Sequence, residues 1–326
     1  MARPRRIEDL VGQLLEAIRP RAKSLIVTVF GDAIIPHGGS IWLGSFIDLM
    51  ANFDMTDRIV RTSVFRLIKD DWMMNTPIGR RSFYRLTEYG HERNAAAERR
   101  IYAPLIRRWD HNWHMLLIAQ SSLDAETRER LRRELQWLGF GMISPTVLTH
   151  ASYDEAAVNR LLAELGVSDK IVLMKATHDT SGSQAALRDL VREYWDIAQL
   201  EANYDDFLSR HRPVWETLNS IESLDPRQSF VIRTLLIHDF RRILLRDPML
   251  PAELLPADWV GQEARLLTRN IYRLVQQPSE SFLLSTVDTP NGPLPDAAPY
   301  FQARFGGLKD EEASTTPIPT RRRTAG

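Results

Sequence analysis

The sequence predicts a multidomain α+β protein, and three observations predict it. A helical apolar stripe at residues 55–70 is backed by a cationic face. Strand and helix patterns alternate between residues 111 and 180. Helical periodicity then dominates from Leu187 to Gln276.

The first observation organises the head of the chain. Val60, Val64, Leu67 and Ile68 follow the spacing of one helix face. Arg58, Thr62, Arg66 and Lys69 project opposite, Arg61 lies on the flank, and Thr56 is placed to cap the first turn. Upstream, Leu43, Phe46, Ile47 and Met50 form a second stripe, joined by the short connection Ala51-Asn52-Phe53-Asp54. A third apolar segment, Leu25 to Ile35, opens at Ser24 and closes at Pro36-His37-Gly38-Gly39. Downstream, β-prone runs flank Pro77-Ile78-Gly79, which reads as a hairpin turn with Arg80, Arg81 and Arg85 at or beside its tip. Three helices and a basic hairpin make a winged helix-turn-helix over residues 23–87.

That arrangement implies duplex DNA. A helix in the major groove needs cations for phosphate and Arg or short polar side chains for base edges. Arg58, Arg61, Thr62 and Arg66 are the expected readers, Lys69 a phosphate contact, and Arg81 the leading wing contact beside Arg80 and Arg85. The competing reading pairs Arg61 or Arg66 with Asp54 or Asp70. Two heads related by a two-fold axis read an inverted repeat, so a homodimer is expected.

Charge supports that placement. Residues 1–110 carry 18 Lys+Arg against 13 Asp+Glu, and the remainder 24 against 29, so the basic excess sits at the head. The chain has no cysteine, which excludes disulfides, thiolate metal sites and cysteine catalysis. No apolar run reaches the ~18 residues of a membrane span, and Met-Ala-Arg-Pro-Arg-Arg lacks the apolar core of a signal peptide. A cytoplasmic location is expected.

The remaining segments follow in order. Residues 1–22 are expected as a frayed basic lead-in, although Ile7 to Ile18 has amphipathic spacing and Arg3, Arg5 and Arg6 are placed to reach a minor groove. Glu88 to about Ala103, polar nearly all round, is a linker helix within residues 88–110. In residues 111–180, His111–Ala119, Phe140–Leu148 and Lys170–Ala176 read as strands, and Glu126–Leu138 and Glu155–Leu165 as helices. Strand, helix, strand, helix, strand suggests a ferredoxin-like unit, whose full order is βαββαβ. Residues 181–288 form a helical domain, with helices over Leu187–Leu208, Pro213–Ser220, Ser229–Leu245 and Trp259–Gln276. Residues 289–326, rich in Pro, Gly and Thr and carrying Arg321-Arg322-Arg323, are expected to be disordered.

The residues resemble those of the PaaX family of bacterial transcriptional repressors over roughly residues 22–285. The first motif is in the head: Trp42-Leu43, Val60-Arg61-Thr62, Arg66-Leu67, Trp72-Met73 and Gly79 to Thr87. The second is Trp137-Leu138-Gly139-Phe140-Gly141 with Pro145. The third is His238, Arg241-Arg242, Asp247-Pro248, Leu250-Pro251, Leu254-Leu255-Pro256, Trp259, Gly261 and Ala264. Thr146, Leu148 and Val260 depart from the pattern, standing where glycine, tryptophan and proline are expected. The resemblance implies that the middle unit is similar to the Cas2 fold. It also implies a homodimeric repressor of phenylacetate catabolism genes that phenylacetyl-CoA, or a related aromatic acyl-CoA, releases from DNA.

Such an effector needs cations for its phosphates and an apolar slot for its ring. His238, Arg241, Arg242 and Arg246 are the expected clamp, with Arg242 and Arg246 on the helix face of His238. Trp137 and Tyr204 are the expected aromatic lining; core packing is the competing reading, as is pairing of Arg242 or Arg246 with Asp239 or Asp247. No cofactor or metal is expected, and no catalytic residue. The phosphate-loop, nucleophile-elbow and HExxH zinc motifs are absent, and His111 and His114 face opposite sides of a strand. A Cas2-like metal nuclease is the rival function. Its carboxylate is expected at the end of the first strand, where the chain has Ala119-Gln120-Ser121-Ser122 and reaches Asp124 only later.

Overall fold

The computed structural model describes residues 7–102, 109–119, 123–177 and 184–308. The expectations for Arg3, Arg5, Arg6, Gln120 to Ser122 and Arg321 to Arg323 lie outside them. The chain divides into two compact units. One draws on residues within 1–104, 206–242 and 262–326, the other within 105–205 and 243–261.

The first unit begins with α1 (Ile7–Ile18), whose Leu10, Leu14 and Ile18 are buried. The lead-in is therefore a docked amphipathic helix from Ile7, not a frayed tail. Next, α2 (Ala22–Val29) runs on through a π-turn, Phe30–Ile34, and a 3-10 turn, Ile35–His37. After β1 (Ser40–Trp42) come α3 (Leu43–Ala51) and α4 (Asp57–Lys69). The hairpin strands are β2 (Met73–Ile78) and β3 (Arg81–Leu86). They form a three-stranded antiparallel sheet in the order β1-β3-β2. The winged helix-turn-helix is thus present, with β1 as an extra strand. The turn is Gly79-Arg80, not Pro77-Ile78-Gly79, because Ile78 pairs with Arg81. Gly79, at φ +58°, takes the left-handed position of the two-residue loop. Pro77 fits inside β2 because that strand is an edge, where a missing N–H costs no ladder bond.

The same unit holds α5 (Glu88–Tyr102), most of α10 (Pro226–Leu244) and most of α11 (Val260–Thr286). The segment expected to be disordered from residue 289 is ordered as far as Leu308. β8 (Asp288–Thr289) and β9 (Gly292–Pro293) pair, a 3-10 stretch spans Pro299–Gly306, and Phe301 and Arg304 are buried. Its backbone is tied down by Ala298 N–H donating to Pro36 O and by a bond between His37 Nδ1 and Pro295 O.

The second unit contains β4 (Asn112–Ile118), α6 (Ala125–Trp137), β5 (Gly141–Ser144), β6 (Val147–His150), α7 (Glu155–Glu164) and β7 (Ile171–Thr177). The apolar run at Phe140–Leu148 is a hairpin rather than one strand, completing the βαββαβ order. The antiparallel sheet runs β5-β6-β4-β7. Leu116, Leu131, Leu135, Phe140, Leu148, Val158 and Leu162 form its core. Then come α8 (Gln184–Tyr194) and the start of α9 (Ile197–Leu218). The helix expected from Leu187 to Leu208 breaks at Asp196, whose φ is +45°. Pro213 lies inside α9, not at the head of a new helix.

Candidate nucleic-acid interface

Helix α4 is built to show one face. Thr56 Oγ1 accepts the Ile59 N–H at 3.4 Å, which satisfies one orphan donor of the first turn. Val60, Ser63, Val64 and Leu67 are buried, packed toward α2 and α3. Arg58, Arg61, Thr62, Phe65, Arg66 and Lys69 are exposed. Thr62 Oγ1 donates to Arg58 O at 2.8 Å, so its lone pairs are what it offers outward. Arg61 pairs with Asp57 one turn earlier, and Asp70 pairs with Lys23. The competing reading, in which Arg61 or Arg66 pairs with Asp54 or Asp70, is corrected to an Asp57 pair for Arg61. Arg58, Arg66, Lys69, Arg80 and Arg85 have no ion-pair partner among the described residues.

The wing differs from expectation at Arg81. Its Nη1 lies 3.0 Å from Asp288 Oδ2, and its guanidinium stacks 4.3 Å over the Trp42 ring. Asp288 is itself positioned by Ser45, whose Oγ accepts the Asp288 N–H at 3.0 Å. Arg81 therefore braces the wing against β1 and β8, and the open cations of the wing are Arg80 at the turn and Arg85. The sequence offered no signal for this, because Asp288 lies 207 residues away.

Of the expected effector residues, His238, Arg241 and Arg242 belong to the first unit, and Trp137, Tyr204 and Arg246 to the second. His238 is buried against Thr28, Nδ1 to Oγ1 3.1 Å. Thr28 spends its hydroxyl proton on Ser24 O, which assigns the ring proton to His238 Nδ1. Burial, assisted by Arg241 and Arg242, pushes His238 down to about 4. A neutral ring supplies no charge to a phosphate clamp, so Arg241 and Arg242 are the cations of the group. Arg242 is exposed, and Asp239 is taken by Arg210 and His211 instead. Arg241 is half-buried beside Thr28, Asn94, Ile101 and Tyr102, around a cleft whose enclosed part has room for about one water. An aryl group does not fit there without movement.

In the second unit, α10 has already ended at Leu244, so Arg246 does not share its face with His238. Tyr204 is 1% exposed; its hydroxyl donates to Asp247 Oδ2 at 2.5 Å and its ring meets Trp259 edge-on. Asp247 Oδ1 also accepts the Met249 N–H. His150 Nε2 lies 2.9 Å from Pro248 O, and Trp195 Nε1 donates to Gly139 O. Gly139 is at φ +99°, where a Cβ would fall 2.8 Å from His150 Nε2 and 3.1 Å from Pro248 O. The motifs around Gly139 and Asp247-Pro248 are thus parts of one packed junction, and Tyr204 serves it. Trp137, the last residue of α6, is partly exposed.

For the nuclease alternative, Asp124 is the relevant carboxylate. It caps α6 by accepting the Thr127 N–H at 2.9 Å. Among the described residues no group of three His, Asp or Glu is placed to hold a metal ion, and no helix is long and apolar enough to cross a membrane.

Comparison with known proteins gives three family profiles in chain order. PaaX-like protein matches residues 21–90, the PaaX protein central Cas2-like domain residues 106–188, and the PaaX-like protein C-terminal domain residues 195–285. Transcriptional repressor PaaX of Escherichia coli (strain K12) is 37% identical over 308 residues, covering 94% of this chain and 97% of that protein. Among solved structures, the uncharacterized protein Rv0674 from Mycobacterium tuberculosis aligns at 24% identity and TM-score 0.48, over 73% of this chain and 89% of that one.

Proposed function

This chain belongs to the PaaX family, and from that premise we propose that it is a DNA-binding transcriptional repressor of phenylacetate catabolism genes. It reads an inverted-repeat operator as a homodimer. The observation that carries the reading is the outer face of α4: Arg58, Arg66 and Lys69 stand exposed beside Thr62, with no ion-pair partner among the described residues, on a helix whose other face is locked into the head. Unpaired cations at that spacing suit phosphates and the guanine edge, the commonest specific partner of arginine. Arg80 and Arg85 extend the cationic surface onto the wing. The name carried by the Escherichia coli relative supports the same reading.

The inducer in this reading is phenylacetyl-CoA. Arg242, exposed at the end of α10 and without an ion-pair partner among the described residues, is its first phosphate contact, and Arg241 its second. Release requires that the thioester bind the DNA-free conformation more tightly than the DNA-bound one. The test titrates a preformed protein–promoter complex with phenylacetyl-CoA, phenylacetate, benzoyl-CoA and acetyl-CoA. Release by phenylacetyl-CoA alone supports the assignment. Release by benzoyl-CoA instead moves the reading to another aromatic thioester, and indifference to all four rejects the switch.

A further inference from the structure

Phe65 is the most exposed large apolar side chain among the described residues, with 67% of its surface in solvent. It is no part of the buried stripe of α4. At roughly 100° per residue it points almost opposite that stripe. Arg58 lies two turns before it on the same row, Arg61 and Thr62 one turn before, and Lys69 one turn after. The centre of the cationic face is therefore a phenyl ring, which neither neutralises phosphate nor hydrogen-bonds a base edge.

We infer that Phe65 is a specificity-determining residue that packs against the 5-methyl group of thymine in the major groove. This rests on the reading that α4 enters that groove, and deepens it. The floor of the major groove offers one apolar group, the thymine methyl, and phenylalanine is among the side chains that contact it. The cations around Phe65 hold the helix to the walls, so the ring between them is carried toward the floor. A wedge between base steps is the other use of an apolar side chain on DNA, but wedges work from the minor groove, which a helix ringed by phosphate-binding cations does not enter. Burial of one methyl is worth about fourfold in affinity. Phe65 thus adds a thymine requirement to each half-site that the arginines do not supply.

The test uses the full-length chain. Binding sites are selected from a random duplex library with the wild-type protein and with Phe65→Ala. Each thymine of the selected site is then replaced in turn by uracil, which removes the methyl and leaves every hydrogen-bonding group in place. The wild type is expected to lose about fourfold at one thymine of each half-site. Phe65→Ala should be indifferent to that substitution, while Arg66→Ala should keep the penalty. Thermal unfolding of Phe65→Ala should stay close to the wild type, since two-thirds of the side chain is already in solvent. The inference is overturned if no uracil substitution weakens the wild type, or if Phe65→Ala keeps the same penalty. A wild-type protein that selects no motif at all overturns the groove reading and this inference together; a motif that Phe65→Ala shares in full overturns only this inference.

Discussion

Arg233 Nε lies 2.7 Å from Asp32 Oδ2, across 201 positions of sequence, with both side chains almost wholly removed from solvent. The other carboxylate oxygen, Oδ1, accepts from Tyr102 Oη at 2.5 Å, Tyr272 Oη at 2.9 Å and Arg304 Nη1 at 3.0 Å. Asp32 sits in the π-turn that continues α2, and such turns recur at functional positions. One carboxylate thereby gathers α2, α5, α10, α11 and the C-terminal stretch of the first unit. Arg233 also holds Glu280. Burial alone would raise that carboxyl, but Arg233 and the His37 hydrogen bond outweigh it and keep it at about 2.

Asp32→Ala should therefore cost far more than an exposed ion pair. It leaves two guanidiniums buried without their shared anion, a loss of about 3–5 kcal/mol. Lys23→Ala removes a solvent-exposed pair with Asp70 and should cost under about 1 kcal/mol. Urea unfolding of the two variants checks the contrast; equal midpoints would show that the network is not what holds the unit.

His238 predicts a pH dependence of stability. Its folded value of about 4 lies below the ordinary histidine value of 6.5. The group's contribution is thus complete above pH 6.5 and is lost as pH falls toward 4, about 3 kcal/mol in all. His211, also lowered by burial, acts in the same direction. Unfolding midpoints measured from pH 7.5 to 4.5 should fall in the wild type and fall less in His238→Gln. Parallel curves would refute the burial argument.

The cations of the head should separate into two classes. Arg58→Ala and Arg66→Ala should each leave folding intact and reduce the slope of log affinity against log salt by about 0.9. Arg81→Ala should change that slope less and lower the stability of the head, because it loses the Asp288 pair and roughly 0.5–1 kcal/mol of stacking on Trp42. Salt-series anisotropy with a melting curve for each variant distinguishes the classes. A full unit of slope lost from Arg81→Ala would return it to the phosphate contacts.

Arg242→Ala should repress normally and resist phenylacetyl-CoA, with the effector concentration for half-release raised at least about tenfold, as expected for the loss of a charge-assisted phosphate contact. Normal release would remove Arg242 from the effector site.

Much of this fold was legible in residue spacing. The α4 stripe, its Thr56 cap and the hairpin are local, so periodicity and turn chemistry were enough. Long-range partners were not legible. Nothing near Arg81 in the sequence points to Asp288, and nothing near Arg233 points to Asp32. The Pro- and Gly-rich stretch after residue 289 reads as disorder because composition does not reveal that Phe301 and Arg304 have a buried place waiting for them. Tyr204 and His238 suit an effector site by residue type alone, but Tyr204 is buried against Asp247 and His238 against Thr28. Phe65 was legible in principle, since a helix wheel puts it among the cations.

The cationic face of α4 should give this protein a preference among DNA sequences. Its most direct test is anisotropy titration of the purified chain against labelled duplex from upstream of its own gene and against composition-matched random duplex, at moderate salt. Binding to the upstream duplex should be at least about a thousandfold tighter, in the range that separates specific from non-specific sites, with Arg58→Ala and Arg66→Ala eroding that ratio. Equal affinity for the two duplexes would contradict it.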